Sequence, residues 1–212
     1  MISNRHKKLI ELCAKYSNDA YKKTVDGIFI EDKDTDTQAY ISYKNNDIII
    51  SGQGTTSMQD WSIDFQIWRE NADFLNNTLV HAGFLKAYKS IRMQLHVEIN
   101  KIKIDANNSI NRIICTGHSL FGAIATLCSV DCALMYDYPV HCITFGSPRV
   151  GAPDFIKLYN NNIDISYRCV RFKDPVSFTP LPLRFRHVRG GVHFDKDFQN
   201  LSQNTLSLYN FI

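Results

Sequence analysis

The stretch Gly117-His118-Ser119-Leu120-Phe121 places a single serine where it could act as a nucleophile. It follows a short apolar run, Ile113 to Cys115, and precedes an Ala-rich stretch that stays helical to about Met135. The local reading is therefore strand, sharp turn, helix. A serine hydroxyl becomes an effective nucleophile when it projects from a strand end toward a base, beside backbone N–H groups that can hold an oxyanion. A tight strand-to-helix turn supplies both conditions. Such a turn crowds the positions two before and two after the serine, which favours glycine there. Gly117 fits and Phe121 does not, so a plain turn with an incidental serine is the competing reading. Asp174, after the apolar run Ser166 to Phe172, is a carboxylate at a strand end that could orient a histidine. A turn aspartate before Pro175 is its plainer alternative. His81 has no acid or nucleophile beside it in sequence and reads as a structural hydrogen-bonding residue.

The elements that must position these groups follow from periodicity. Leu9, Leu12, Cys13, Tyr16 and Ala20 predict an amphipathic helix over residues 5–22, within an N-terminal segment 1–24 that covers the sheet. Glu31 to Asp36 reads as a charged turn. Thr37 to Lys44 and Asp47 to Ser51 form a hairpin about Asn45-Asn46. A glycine- and hydroxyl-rich loop follows from Gly52, able to present N–H and hydroxyl donors at a strand end. Val80-His81-Ala82-Gly83-Phe84 opens a long helix whose apolar stripe includes Tyr88, Ile91, Leu95 and Ile99. Val140 to Phe145 is another buried-type strand. Alternating strands and helices from residue 111 onward predict a parallel sheet with right-handed crossovers, and active residues gather at the carboxyl ends of such strands.

With 212 residues and 44% hydrophobic content, the chain suits one sizeable core, read as a single α/β domain over 1–212. A net charge of +3, with Lys and Arg scattered, argues against a nucleic-acid partner. The first ten residues are charged where a leader would need an apolar run, and no long apolar window spans a membrane; the expected setting is cytoplasmic. The six cysteines lie mostly within predicted strands and helices, so they read as buried free thiols. Cys128 and Cys132 share a helix face without a histidine or further cysteine pair near them in sequence, and neither metal nor cofactor is expected.

Taken in order and spacing, Gly54-Thr55, Asp60-Trp61, Asp64, Val80 to Phe84, Gly117-His118-Ser119-Leu120, Thr144 to Gly151 and Asp174-Pro175-Val176 resemble the fungal-type (class 3) lipase family. The resemblance covers about residues 25–212. It implies an α/β-hydrolase fold, mostly parallel and flanked by helices, and a Ser-Asp-His triad acting on lipid esters without a cofactor. On that pattern Ser119 is the nucleophile and Asp174 the acid. Thr55 and the backbone N–H of Leu120 fall at the oxyanion hole. Residues 55–65 fall on a lid-like segment able to touch a membrane surface transiently.

Three positions depart from that family pattern. Its aromatic-Arg-Gly before the oxyanion threonine is Gly52-Gln53-Gly54 here. Phe121 replaces the second glycine of the serine turn, and a large side chain at a close-packed site costs about 1–3 kcal/mol or moves the backbone. Asn204 stands where the family has its catalytic histidine, and an amide has no basic nitrogen to take the serine proton. His193, which follows Gly190-Gly191 in what reads as the second strand of a hairpin, is the candidate substitute base. His187 matches a position that the family uses structurally. The resemblance thus implies either a weak serine hydrolase of carboxylic lipid esters or an inactive relative that binds lipid or a protein partner.

Overall fold

The computed structural model describes residues 2–53, 68–171, 174–180, 182 and 184–193. Helix α1 (Asn4–Lys22) is capped by the Ser3 side chain and ends on Lys23 in a left-handed conformation. Strands β1 (Ile28–Asp32), β2 (Thr37–Lys44) and β3 (Asp47–Gln53) are consecutive antiparallel neighbours. Asn45 and Asn46 both take positive φ, 53° and 62°, the geometry of a two-residue hairpin turn. A separate antiparallel pair, β4 (Arg69–Ala72) and β5 (Thr78–His81), leads into α2 (Ala82–Asp105). Then come β6 (Arg112–His118), α3 (Ser119–Met135), β7 (Val140–Phe145), α4 (Pro153–Asn162), β8 (Ile165–Val170) and β9 (Gly191–His193). The main sheet runs β1-β2-β3-β6-β7-β8-β9, parallel from β3 to β9.

Alternation along β6 sends its side chains to opposite faces. Ile113 and Cys115 enter the larger core beneath α2, α3 and α4, whereas Ile114 joins Ile49, Ile143, Phe145 and Val192 beneath α1. Every residue from Ser119 to Cys132 is buried, so α3 is enclosed on all sides over that span, as its mostly apolar composition requires. The mostly parallel sheet is the one expected from the strand and helix alternation, and with helices on both faces it is the α/β-hydrolase architecture that the family resemblance implied. The expected helix over 5–22, the Asn-Asn hairpin and the strand-turn-helix at Ser119 all stand. Three elements depart from expectation. Glu31 belongs to strand β1, Val80 and His81 end strand β5 rather than open a helix, and β9 pairs parallel with β8 instead of closing a hairpin.

A carboxylate lies deep in the core. Asp131 of α3 is fully buried and accepts hydrogen bonds from Tyr88 Oη at 2.7 Å, Arg92 Nε at 2.6 Å and Arg92 Nη2 at 3.0 Å, all from α2. His96 Nε2 stands 2.8 Å from the same carboxylate. Burial alone would raise this carboxyl, but the bonds from His96, Arg92 and Tyr88 outweigh it and hold the group below its ordinary value. Removing one partner of such a buried pair leaves the other charge uncompensated, at about 3–5 kcal/mol. Asp131→Ala is therefore expected to lower unfolding stability by about that amount, read from the urea midpoint. A loss as small as that of a surface substitution would show that the cluster is not what joins α2 to α3.

Candidate active site

Ser119 sits at the carboxyl end of β6, in the middle of the sheet, as the first residue of α3. Its φ is +53° and its side chain is buried. A left-handed conformation is costly for any residue with a Cβ and is kept where the surroundings enforce it. The chain thus turns sharply into a helix whose first N–H groups have no intrahelical acceptor, and Leu120 is the second residue of that helix.

The space around the turn explains Phe121. A Cβ added at Gly117 would stand 2.7 Å from Phe121 Cδ1, and one at Gly52, on the neighbouring strand β3, would stand 2.1 Å from Phe121 Cε2. The phenyl ring therefore fills the room that two glycines leave, and it is fully buried there. The bulk expected to disturb the turn is accommodated, because Gly52 yields the volume that Phe121 takes. Two departures from the family pattern that look independent in sequence are one packing event.

Asp174 comes to the same place from beyond β8. Gly146, one residue past β7, has φ +55°, and a Cβ there would meet Asp174 Oδ2 at 2.8 Å and His118 Nε2 at 3.4 Å. Asp174 and the residue preceding the serine thus share the space above Gly146, one strand from Ser119. Asp174 Oδ1 accepts from Val176 N–H at 2.9 Å, and the Ser177 hydroxyl donates to the Asp174 carbonyl at 2.8 Å. Burial pushes the Asp174 carboxyl above its ordinary value, against the lowering effect of the backbone N–H groups of Val176 and Ser177. The loop is pinned from behind. Arg149 Nη1 donates to the carbonyls of Phe178 and Pro180, and His187 Nε2 donates to the Ser177 carbonyl at 2.7 Å. His187 is structural, as its position in the family pattern implied. So is His81, whose Nδ1 accepts from Gly83 N–H at the start of α2 and whose ring stacks on Phe84.

His193 lies elsewhere. Register runs from His118 through Phe145 and Cys169 to Val192, so His193 is level with Ser119 but three strands away. At about 4.8 Å per strand that is about 14 Å, beyond the combined reach of a serine and an imidazole. The side chain is also exposed. The substitute-base role read from sequence does not fit this placement, because β9 joins the edge of the sheet as a parallel strand and its tip does not fold back over β6. Thr55, Asn204 and the lid-like segment 55–65 lie outside the described residues.

One contact at the site carried no sequence signal beyond its place in the serine motif. His118 Nδ1 lies 3.0 Å from Tyr21 Oη on α1, so the covering helix braces the residue next to the nucleophile. Burial pushes the His118 imidazole down to about 4, which keeps it neutral at pH 7.

The family description Lipase (class 3) matches residues 49–183, a span that contains both Ser119 and Asp174. The chain belongs to the class 3 lipase family. Among curated relatives, a secreted mono- and diacylglycerol lipase of Fusarium solani is 29% identical over 169 residues, 76% of this chain and 50% of that protein. A phospholipase A1-II of Oryza sativa is 29% identical over 154 residues, 63% of this chain and 39% of that protein. The chain spans about half or less of the length of these relatives. The triacylglyceride lipase structure of Rhizomucor miehei superposes with a TM-score of 0.80 at 23% identity, covering 91% of this chain and 82% of that one. The structure of a mutant form of MDLA from Penicillium cyclopium gives 0.79 at 21%, covering 92% and 82%. These structures bear out the α/β-hydrolase fold for this class 3 lipase family member.

Two expectations follow from the packing and the buried imidazoles. Phe121→Ala removes a buried ring and should cost about 3–5 kcal/mol, while Gly52→Ala overpacks the same space and should cost about 1–3 kcal/mol. Together they should cost clearly less than their sum, with a remainder because the Gln38 carbonyl also lies 2.4 Å from the added Cβ. Additive losses in urea unfolding would mean that the ring and the glycine do not share one space. The second expectation concerns acid. Burial, the first cause in each case, holds His81, His118, His141 and His187 at about 4 against an ordinary 6.5. Between about pH 6.5 and about pH 4 the unfolded chain binds more protons, so stability is lost as pH falls through that window. The raised Asp174 carboxyl contributes with the opposite sign. Urea midpoints measured across the window should fall toward acid, and His81→Asn, which keeps a cap acceptor, should flatten the slope; a flat native profile would contradict the burial argument.

Proposed function

We propose that this chain is a lipase-like serine hydrolase of carboxylic lipid esters, with Ser119 as nucleophile and Asp174 as acid. The observation that carries the reading is the left-handed Ser119 at the end of a central parallel strand, one strand from the half-buried carboxylate of Asp174. Ser119 Oγ attacks the ester carbonyl, its proton passes by way of a base to the departing alcohol, and water then cleaves the acyl-serine. The N–H of Leu120, with Thr55 on the family pattern, holds the oxyanion in both steps. Asp174 orients the base and balances its transient positive charge. Relatives named as mono- and diacylglycerol lipase and as phospholipase A1 support glycerolipid acyl esters as the substrate class.

Asn204 at the family's histidine position favours a second reading, in which the same fold binds lipid or a protein partner without turnover. On the first reading the missing imidazole makes turnover weak, since the serine proton must find another acceptor. Chromophore release from a short p-nitrophenyl ester separates the two. The native chain should exceed Ser119→Ala, and Asn204→His should raise kcat/KM by orders of magnitude with the same dependence on Ser119. Equal rates in the native chain and Ser119→Ala would leave the binding reading. An unchanged rate in Asn204→His would remove the grounds for placing that residue at the base position.

A further inference from the structure

Where β6 packs against α3, three thiols converge. Cys115 Sγ of β6 lies 3.9 Å from Cys128 Sγ of α3, and Cys128 Sγ lies 3.9 Å from Cys132 Sγ one helical turn on. All three sulfurs fall within 4.8 Å of one another and are buried. Sequence placed Cys128 and Cys132 on one helix face and found no further ligand near them. The third comes from the strand, thirteen residues earlier. Sulfurs bound to one ion at about 2.3 Å stand about 3.8–4.0 Å apart; both sulfur distances to Cys128 have that spacing, and the third pair lies within 4.8 Å.

We propose that Cys115, Cys128 and Cys132 form a site for one soft, thiol-seeking cation, with Cu(I) as the favoured occupant. The choice of ion follows from the donor set. Three sulfurs without nitrogen or oxygen ligands suit a soft ion, whereas structural zinc is almost always four-coordinate. Ligation requires thiolates, and every thiol that binds gives its proton to solvent, so affinity rises with pH. Arg92, paired with Asp131 one residue before Cys132, brings a guanidinium to the same part of α3. The bound ion would tie β6 to α3, the two elements whose junction is Ser119.

The buried location implies loading during folding, and the test is arranged accordingly. Reduced protein is unfolded, refolded with Cu(I) held by a competing chromogenic chelator, and freed of excess ion. One equivalent of Cu(I) per chain is expected, with a raised melting temperature and tighter retention at higher pH. Cys13→Ala, which removes a buried thiol outside the cluster, should keep both the ion and the shift, and Cys128→Ala should lose both. Should Cys128→Ala fail to fold, Cys115→Val, which preserves apolar volume in β6, serves the same purpose. Refolded native protein without copper, or copper retained unchanged by the cluster variants, would overturn the proposal. Melting and metal content are read without any ester, so this result stands apart from the hydrolase reading.

Discussion

A positive φ at a residue with a Cβ costs of order 1–3 kcal/mol, and at Ser119 nothing in the local sequence repays it. The turn holds because everything around it is already committed. β6 pairs with β3 over its first half and with β7 up to His118, α3 is buried from Ser119 to Cys132, and the phenyl ring of Phe121 occupies the space between Gly52 and Gly117. Asp174 reaches the turn because Gly146 lacks the side chain that would block it. The reactive geometry is thus a by-product of packing around one strained residue, and the strain is sustained by elements far larger than the turn.

Parts of this were legible in the residues. Helical spacing from Leu9 to Ala20 located α1, Asn45-Asn46 located the hairpin, and the apolar run before Ser119 located the central strand. These signals are local: a period, or a residue pair that tolerates positive φ. β4, with the sequence Arg-Glu-Asn-Ala, shows no alternation because it stays largely exposed, and β9 is only three residues long. Neither could be seen in a window, and the parallel pairing of β9 with β8 depends on chain direction in space.

The site was less legible than the fold for a related reason. Ser119 and Asp174 could be named from type and position, but Phe121 and Gly52 stand 69 positions apart and their relation becomes visible once both lie on adjoining elements. The same holds for Cys115, which joins a helix pair that looked incomplete alone. A sequence pattern scores each departure separately, whereas packing decides which departures offset one another. Thr55 and Asn204, on which the pattern speaks most directly to chemistry, lie outside the described residues.

Helix α1 carries a consequence of another kind. It meets the sheet through Ser17 and Thr116, Tyr21 and His118, and His6 and Tyr167, contacts separated by 99, 97 and 161 positions. The helix cannot find these partners until about a hundred or more further positions have been made, and until then its apolar stripe and the face bearing Ile114, Ile143 and Phe145 are both uncovered. Contacts of such long range slow folding and prolong exposure to aggregation. The brace beside the nucleophile therefore waits for the strand that carries His118, and the reactive turn and its covering helix are completed together.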